Sequence, residues 1–293
     1  MRKTLFASAT LAALSVAAAV ACAWAAPAES AIPQFGGREF AWIVNFWDFQ
    51  LDPPPGSGHG PIKADPAYAY VSQIQNGGQV RARNGELQVA IGDTKDPILK
   101  PWAAKQMQDT NEEILSGKRG LPFRAQSRCW PGGVPGQLLF LEPLYFIQLP
   151  DRVVMLWQRN SFVRNVRLNG THPAKVTPSW FGDSIGHYEN GDTLVIDTVG
   201  LAAKPFSYLD AVRTPHSEKL HVVERFTIAP DKQSLTAIVR VEDPDTLNEP
   251  MTLKQVWRRS NTAIEESVCA DDGGEDFFNQ NLHPIPKADK PDF

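Results

Sequence analysis

From residue 138 to residue 258 apolar side chains recur at every second position, in short runs cut by turn residues, with no helix-period run between them. A chain patterned this way must bury one face of each strand against other strands, as a sandwich or a closed barrel. The candidate strands are Leu138 to Glu142, Leu144 to Gln148, Arg152 to Gln158, Phe162 to Leu168, Ser184 to Glu189, Asp192 to Thr198, Leu220 to Ile228, Leu235 to Glu242 and Met251 to Arg258. Connections short enough to be hairpins predict a mainly β fold, an antiparallel meander closing into a lipocalin-like barrel, with a β-sandwich as the alternative.

Two hairpins assign faces. Asn190-Gly191 suits a two-residue type I′ turn, in which both central residues need positive φ. That turn sets Glu189 opposite Asp192, His187 opposite Leu194 and Ile185 opposite Ile196, which places His187 on an aliphatic face. The turn at Pro230-Asp231-Lys232 puts Leu220, Val222, Phe226 and Ile228 on one face with Leu235, Ala237, Val239 and Val241. Glu224 is the only charge on that face, while His221 pairs with Glu242 on the other beside Arg225 and Arg240.

Upstream of the strands the organisation differs. Residues 1–25 read as a signal peptide, with Arg2 and Lys3, an apolar run from Leu5 to Ala21, and Ala23-Trp24-Ala25 before the cut. Lipoprotein processing at Cys22 is the alternative. Residues 26–136 form an irregular N-terminal segment packed on the barrel, rich in Pro and Gly, with an aromatic stretch from Phe40 to Phe49 and a helix over about 101–116 opened by Pro101 and stopped by Gly117. The β domain spans 137–270, and 271–293 is a C-terminal tail.

No run in the mature chain approaches the length of a membrane helix. A net charge of -4 leaves no basic surplus for a phosphate backbone, so nucleic acid is excluded as a partner. Once the leader is removed, Cys129 and Cys269 are the remaining cysteines, without Cys-x-x-Cys spacing, and in an oxidising compartment they are expected to form a disulfide. Over so long a loop an unstrained bridge contributes on the order of 4 kcal/mol.

Three constellations carry chemistry. Gly182-Asp183-Ser184-Ile185-Gly186 matches a nucleophile elbow, and Asp197 and His216 follow in hydrolase order, but the serine runs into a hairpin rather than a helix. His216, Glu218 and His221 lie close in sequence but lack a further ligand for zinc, so no metal and no cofactor are expected. The third is Glu224 with His187, each a lone titratable group on an apolar strand face, where desolvation would shift its pKa and is costly without a partner or a purpose. Meeting inside a barrel, Glu224 would serve as general base and His187 as acid or orienter, with Arg164, Gln255, Trp157 and Trp257 lining a pocket. A structural ion pair between Glu224 and an arginine is the competing account.

The stretch from Ser179 through Glu189 and on from Gly191 to Thr198, with His221 to Phe226 and Val241 to Pro244, resembles a signature of exported bacterial proteins to which no activity attaches. The resemblance covers about residues 130–260 and implies one domain built around these hairpins. The expected function is an envelope protein with a pocket for a small apolar or aromatic molecule, either a cofactor-free acid–base enzyme of lyase, isomerase or hydratase type or a non-catalytic ligand- or protein-binding barrel. A Ser184 hydrolase and a zinc enzyme are subsidiary readings.

Overall fold

In the computed structural model the described residues are 32–37, 40–45, 48–50, 53–67, 91–115, 125, 129–205, 207–261 and 263–267. The leader with its cleavage site and Cys22, Trp47, Gly117, Cys269 and the tail 271–293 lie outside them.

Alternation builds a closed, mainly β, lipocalin-like barrel of nine strands in sequence order. These are β1 (Ala41–Val44), β2 (Leu144–Gln148), β3 (Arg152–Trp157), β4 (Phe162–Leu168), β5 (Asp183–Glu189), β6 (Thr193–Val199), β7 (His221–Ile228), β8 (Ser234–Glu242) and β9 (Met251–Ser260). Inward residues such as Met155, Leu194, Phe226, Val239 and Leu253 are fully buried and fill the interior, as a barrel of this size requires. Neighbouring strands pair antiparallel except β4 and β5, which run parallel with Val166 opposite Ser184, because residues 169–182 cross back over the barrel rather than turn.

The ring begins elsewhere than expected. The segment Leu138 to Glu142 is not a strand; Gly136–Leu139 forms a 3-10 turn in which the Gln137 and Leu138 amides donate to the Gly133 and Pro135 carbonyls. Pro135 and Pro143 bracket the segment and have no amide donor with which to carry a ladder past its ends. The missing strand is β1, from within the aromatic stretch, which pairs with β9 from Ala41 opposite Ser260 to Val44 opposite Trp257 and touches β2 through Trp42 opposite Leu144.

The helix α1 (Pro101–Leu115) lies as predicted and buries Ala103, Met107 and Asn111 on one face, four residues apart in turn. Trp102 is half-exposed and its indole N–H donates to the Asp245 carbonyl. Among the described residues no helix is long and apolar enough to cross a membrane.

Candidate functional site

The β7–β8 hairpin has the register the alternation predicts, with Glu224 opposite Val239 and His221 opposite Glu242. Glu224 is completely buried, and β4 supplies its partner. Arg164 Nη1 and Nη2 donate to Glu224 Oε1 and Oε2 at 2.9 and 2.5 Å, a bidentate pair. The same guanidinium donates from Nε to Ser184 Oγ at 3.1 Å and from Nη2 to Thr198 Oγ1 at 2.7 Å. One arginine thus ties β4 to β5, β6 and β7 from inside, with both Glu224 oxygens engaged. This is the arrangement of a structural ion pair.

His187 is not part of it. Asn190 and Gly191 do have φ of 53° and 73°, and the Asp192 amide donates to the Glu189 carbonyl. Asp192, however, stands outside the ladder as an extra residue, its carbonyl accepting from the Ile228 amide, so Glu189 faces Thr193 and Tyr188 faces Leu194. A one-residue slip exchanges the faces: Ser184, Gly186 and Tyr188 turn inward, and His187 turns out to solvent, where it donates from Nε2 to Glu189 Oε1 at 2.8 Å. His187 and Glu224 therefore stand on opposite faces of the sheet and do not converge.

The other expected pocket residues are core. Trp157 and Trp257 are 1% exposed; Trp157 stacks on Phe181 at 6.0 Å, and Trp257 packs on Phe226 at 5.9 Å. Gln255 is wholly buried and accepts from the Val256 amide. Ser184, held by Arg164 and Thr198, does not meet His216, which bonds Ser207 instead.

A different set of titratable groups gathers on the outer wall. His172, in the crossover between β4 and β5, donates from Nδ1 to Asp183 Oδ1 at 2.7 Å and from Nε2 to Asp197 Oδ1 at 3.0 Å. His221 donates from Nε2 to the same Asp197 oxygen at 3.0 Å, and its Nδ1 lies 3.6 Å from Glu242 Oε2. Arg167 clasps Asp183 with 2.6 and 2.9 Å bonds, and Arg240 holds Glu242 at 2.7 Å. The Arg240 bond lowers the pKa of Glu242, against a smaller opposing effect of desolvation. Asp197 is flanked in the ladder by Ile185 and Val223, both half-buried, so this polar chain sits on an aliphatic floor.

The array was half visible in sequence. The His221–Glu242 pair follows from the β7–β8 register, and Asp197 faces out as the Leu194–Ile196 alternation has it, but the β5–β6 slip put Asp183 on the wrong face, and His172 lies in an aperiodic crossover that brings no period to read. The usable signal was the positive-φ pair followed by a third polar residue, which allows a three-residue connection as readily as a two-residue one. Among the described residues no cluster of three potential ligands could hold a metal ion. No protein-family model matches the chain, and no curated protein matches it.

Proposed function

We propose that the protein is an exported, cofactor-free acid–base protein of the bacterial envelope, of lyase, isomerase or hydratase type, acting on a small apolar or aromatic molecule. His172, Asp197 and His221 form its polar centre in place of Glu224 and His187. The observation that carries the reading is the single Asp197 oxygen shared by two imidazoles at 3.0 Å each. Histidine titrates in the physiological range, and a carboxylate that orients two imidazoles presents paired proton donors and acceptors to one surface. The Ile185 and Val223 floor suits an apolar substrate body, and Asp183, Asp197, His221 and Glu242 all fall in the segments that carry the exported-protein resemblance.

Export to the periplasm or medium is proposed from the leader with cleavage after Ala25, lipid anchoring through Cys22 being the alternative, and a Cys129–Cys269 bridge belongs to the same reading.

Nuclear magnetic resonance of ring-labelled histidines, titrated with a panel of small aromatic and aliphatic carbonyl compounds, tests the site. Shifts at His172 and His221 that vanish in Asp197→Asn are expected; shifts confined to other residues would overturn it. Binding without catalysed proton exchange in the compound would instead favour a non-catalytic binding barrel. That second reading has its own support, since Asp197 is 39% exposed and water competes there for any proton transfer.

A further inference from the structure

The outer wall of the barrel is not uniform. On β7 and β8 the outward positions carry His221, Arg225, Arg240 and Glu242, as a sheet face in water ordinarily does. On β2, β3 and β4 the strands bury Phe146, Met155 and Val166, and the positions between these point outward. There the register lays out three rows. Tyr145 stands beside Leu156 and Val163, and Ile147 stands beside Val154 and Asn165. In the third row the Leu149 amide donates to the carbonyl of Arg152, which faces Arg167. Val163, Ile147 and Leu149 are 46%, 44% and 44% exposed, with Val154 and Leu156 half-buried between them. Branched aliphatic side chains therefore lie open across three strands, a width of about 10 Å. A contiguous apolar patch on an otherwise polar wall marks a surface that is covered in use.

The charges around the patch point to its cover. Arg152 and Arg167 bound one end, each half-exposed and paired with Asp151 and Asp183 respectively. At the other end Glu142 is paired with Arg159, and the stretch after β9 brings Glu265 beside Tyr145, whose phenol pKa is raised by burial and, less, by that carboxylate. Glu265 and Glu266 are both exposed, so this end carries the acidic surplus. An aliphatic middle with guanidiniums at one end and carboxylates at the other is complementary to itself turned through half a circle. A two-fold axis standing between Val154 and Leu156 sets aliphatic rows on aliphatic rows and brings the guanidiniums of each chain to the carboxylates of the other. An anionic lipid surface would answer only one of the two ends.

We propose that the protein forms a two-fold dimer through the outer face of β2, β3 and β4, with Ile147 and Val163 central and the Arg152 row of each chain meeting the Glu265 end of its partner. The two walls pack as sheets face to face, about 10 Å apart. The aliphatic rows supply the affinity, and the rim charges fix the orientation. A patch this narrow gives an interface at the small end of the specific range, on the order of 1,200 Å² in total, so dissociation falls in the micromolar range. The patch ends at Arg167, the outermost member of the histidine array, and Asp197→Asn should leave dimerisation unchanged.

Sedimentation velocity of the exported chain over a dilution series tests this, with flotation on phosphatidylglycerol vesicles run beside it. A dimer that dissociates on dilution is expected. Ile147→Lys places an ammonium in the centre and should weaken the dimer at least about tenfold, with an unchanged thermal transition because the position faces water in the monomer. Arg152→Glu should weaken it as well, and Arg152→Glu combined with Glu265→Arg should restore it, since the two positions lie at opposite ends of one chain and meet only across the axis. A wild-type chain that is monomeric at about 100 μM, a dimer indifferent to Ile147→Lys, or a charge swap that fails to restore association would overturn the proposal. A monomer that floats with the vesicles would overturn it too, in favour of a lipid surface, and none of these results touches the acid–base reading of the histidine array.

Discussion

The inner guanidinium–carboxylate pair and the outer imidazole–carboxylate chain draw on opposite faces of the same strands. Ser184 follows Asp183 on β5, Thr198 follows Asp197 on β6, and Glu224 stands three positions after His221 on β7. Inside, every acceptor of Glu224 is engaged and both charges are withdrawn from water. Outside, the charges are shared loosely along a chain that stays in contact with solvent. Strand alternation places one set where only full compensation is tolerated, and the other where partial compensation leaves chemistry available.

The largest effect should come from the inside. Glu224→Leu leaves the buried Arg164 charge unanswered and is expected to cost about 3–5 kcal/mol in urea unfolding. A double replacement, Arg164→Met with Glu224→Leu, should recover most of it. If the single variant is as stable as the wild type, the pair is not the strut described above.

A second buried carboxylate, Asp210, sharpens the contrast because it lacks a bidentate cation. It accepts from the Thr214 amide and hydroxyl at 3.0 and 2.6 Å, yet burial raises its pKa from 3.8 to about 6. The folded chain therefore holds this proton more tightly than the unfolded chain, so its contribution is fully present below pH about 4 and is lost as pH rises to about 6. That loss amounts to about 3 kcal/mol. Asp210→Asn should remove this component, read as the difference between wild-type and variant stability profiles over that range; parallel profiles would refute it.

Smaller effects follow on the outer wall. Gly191→Val should cost about 1 kcal/mol or more, since a β-branched residue at a φ of 73° is strained, and it should disturb the β5–β6 register. Asp197→Asn should change stability by less than about 1 kcal/mol, as exposed ion pairs contribute little, while abolishing ligand-induced shifts at His172 and His221. A large loss of stability in that variant would make the outer chain a strut like the inner one.

How far the sequence could be read depended on whether pairing was local. The β7–β8 hairpin was legible to the residue, because the turn and both alternating faces agree. In β5–β6 the same kind of evidence kept Leu194 and Ile196 inward but turned every β5 side chain to the wrong face, because the extra residue, Asp192, is bound by the Ile228 amide of a strand far along the chain. Arg164 could be assigned to the interior and Glu224 recognised as needing a cation, but their meeting depends on the order of strands around the ring. The aromatic run holding β1 advertised burial without revealing its edge partners. Ser207 and His216 lie in a connection with no period at all, so neither face nor neighbour could be inferred.

The short strand that completes the ring bears on assembly. Ala41 pairs with Ser260, and only Trp42 reaches across to β2, so the first strand made is held chiefly by the last. A barrel closed by contacts so distant in sequence has a high contact order and should fold slowly compared with a helical chain of equal length. During synthesis, the leading strand must wait unpaired by β9 until that final strand arrives. Ring closure is then a late, whole-chain event.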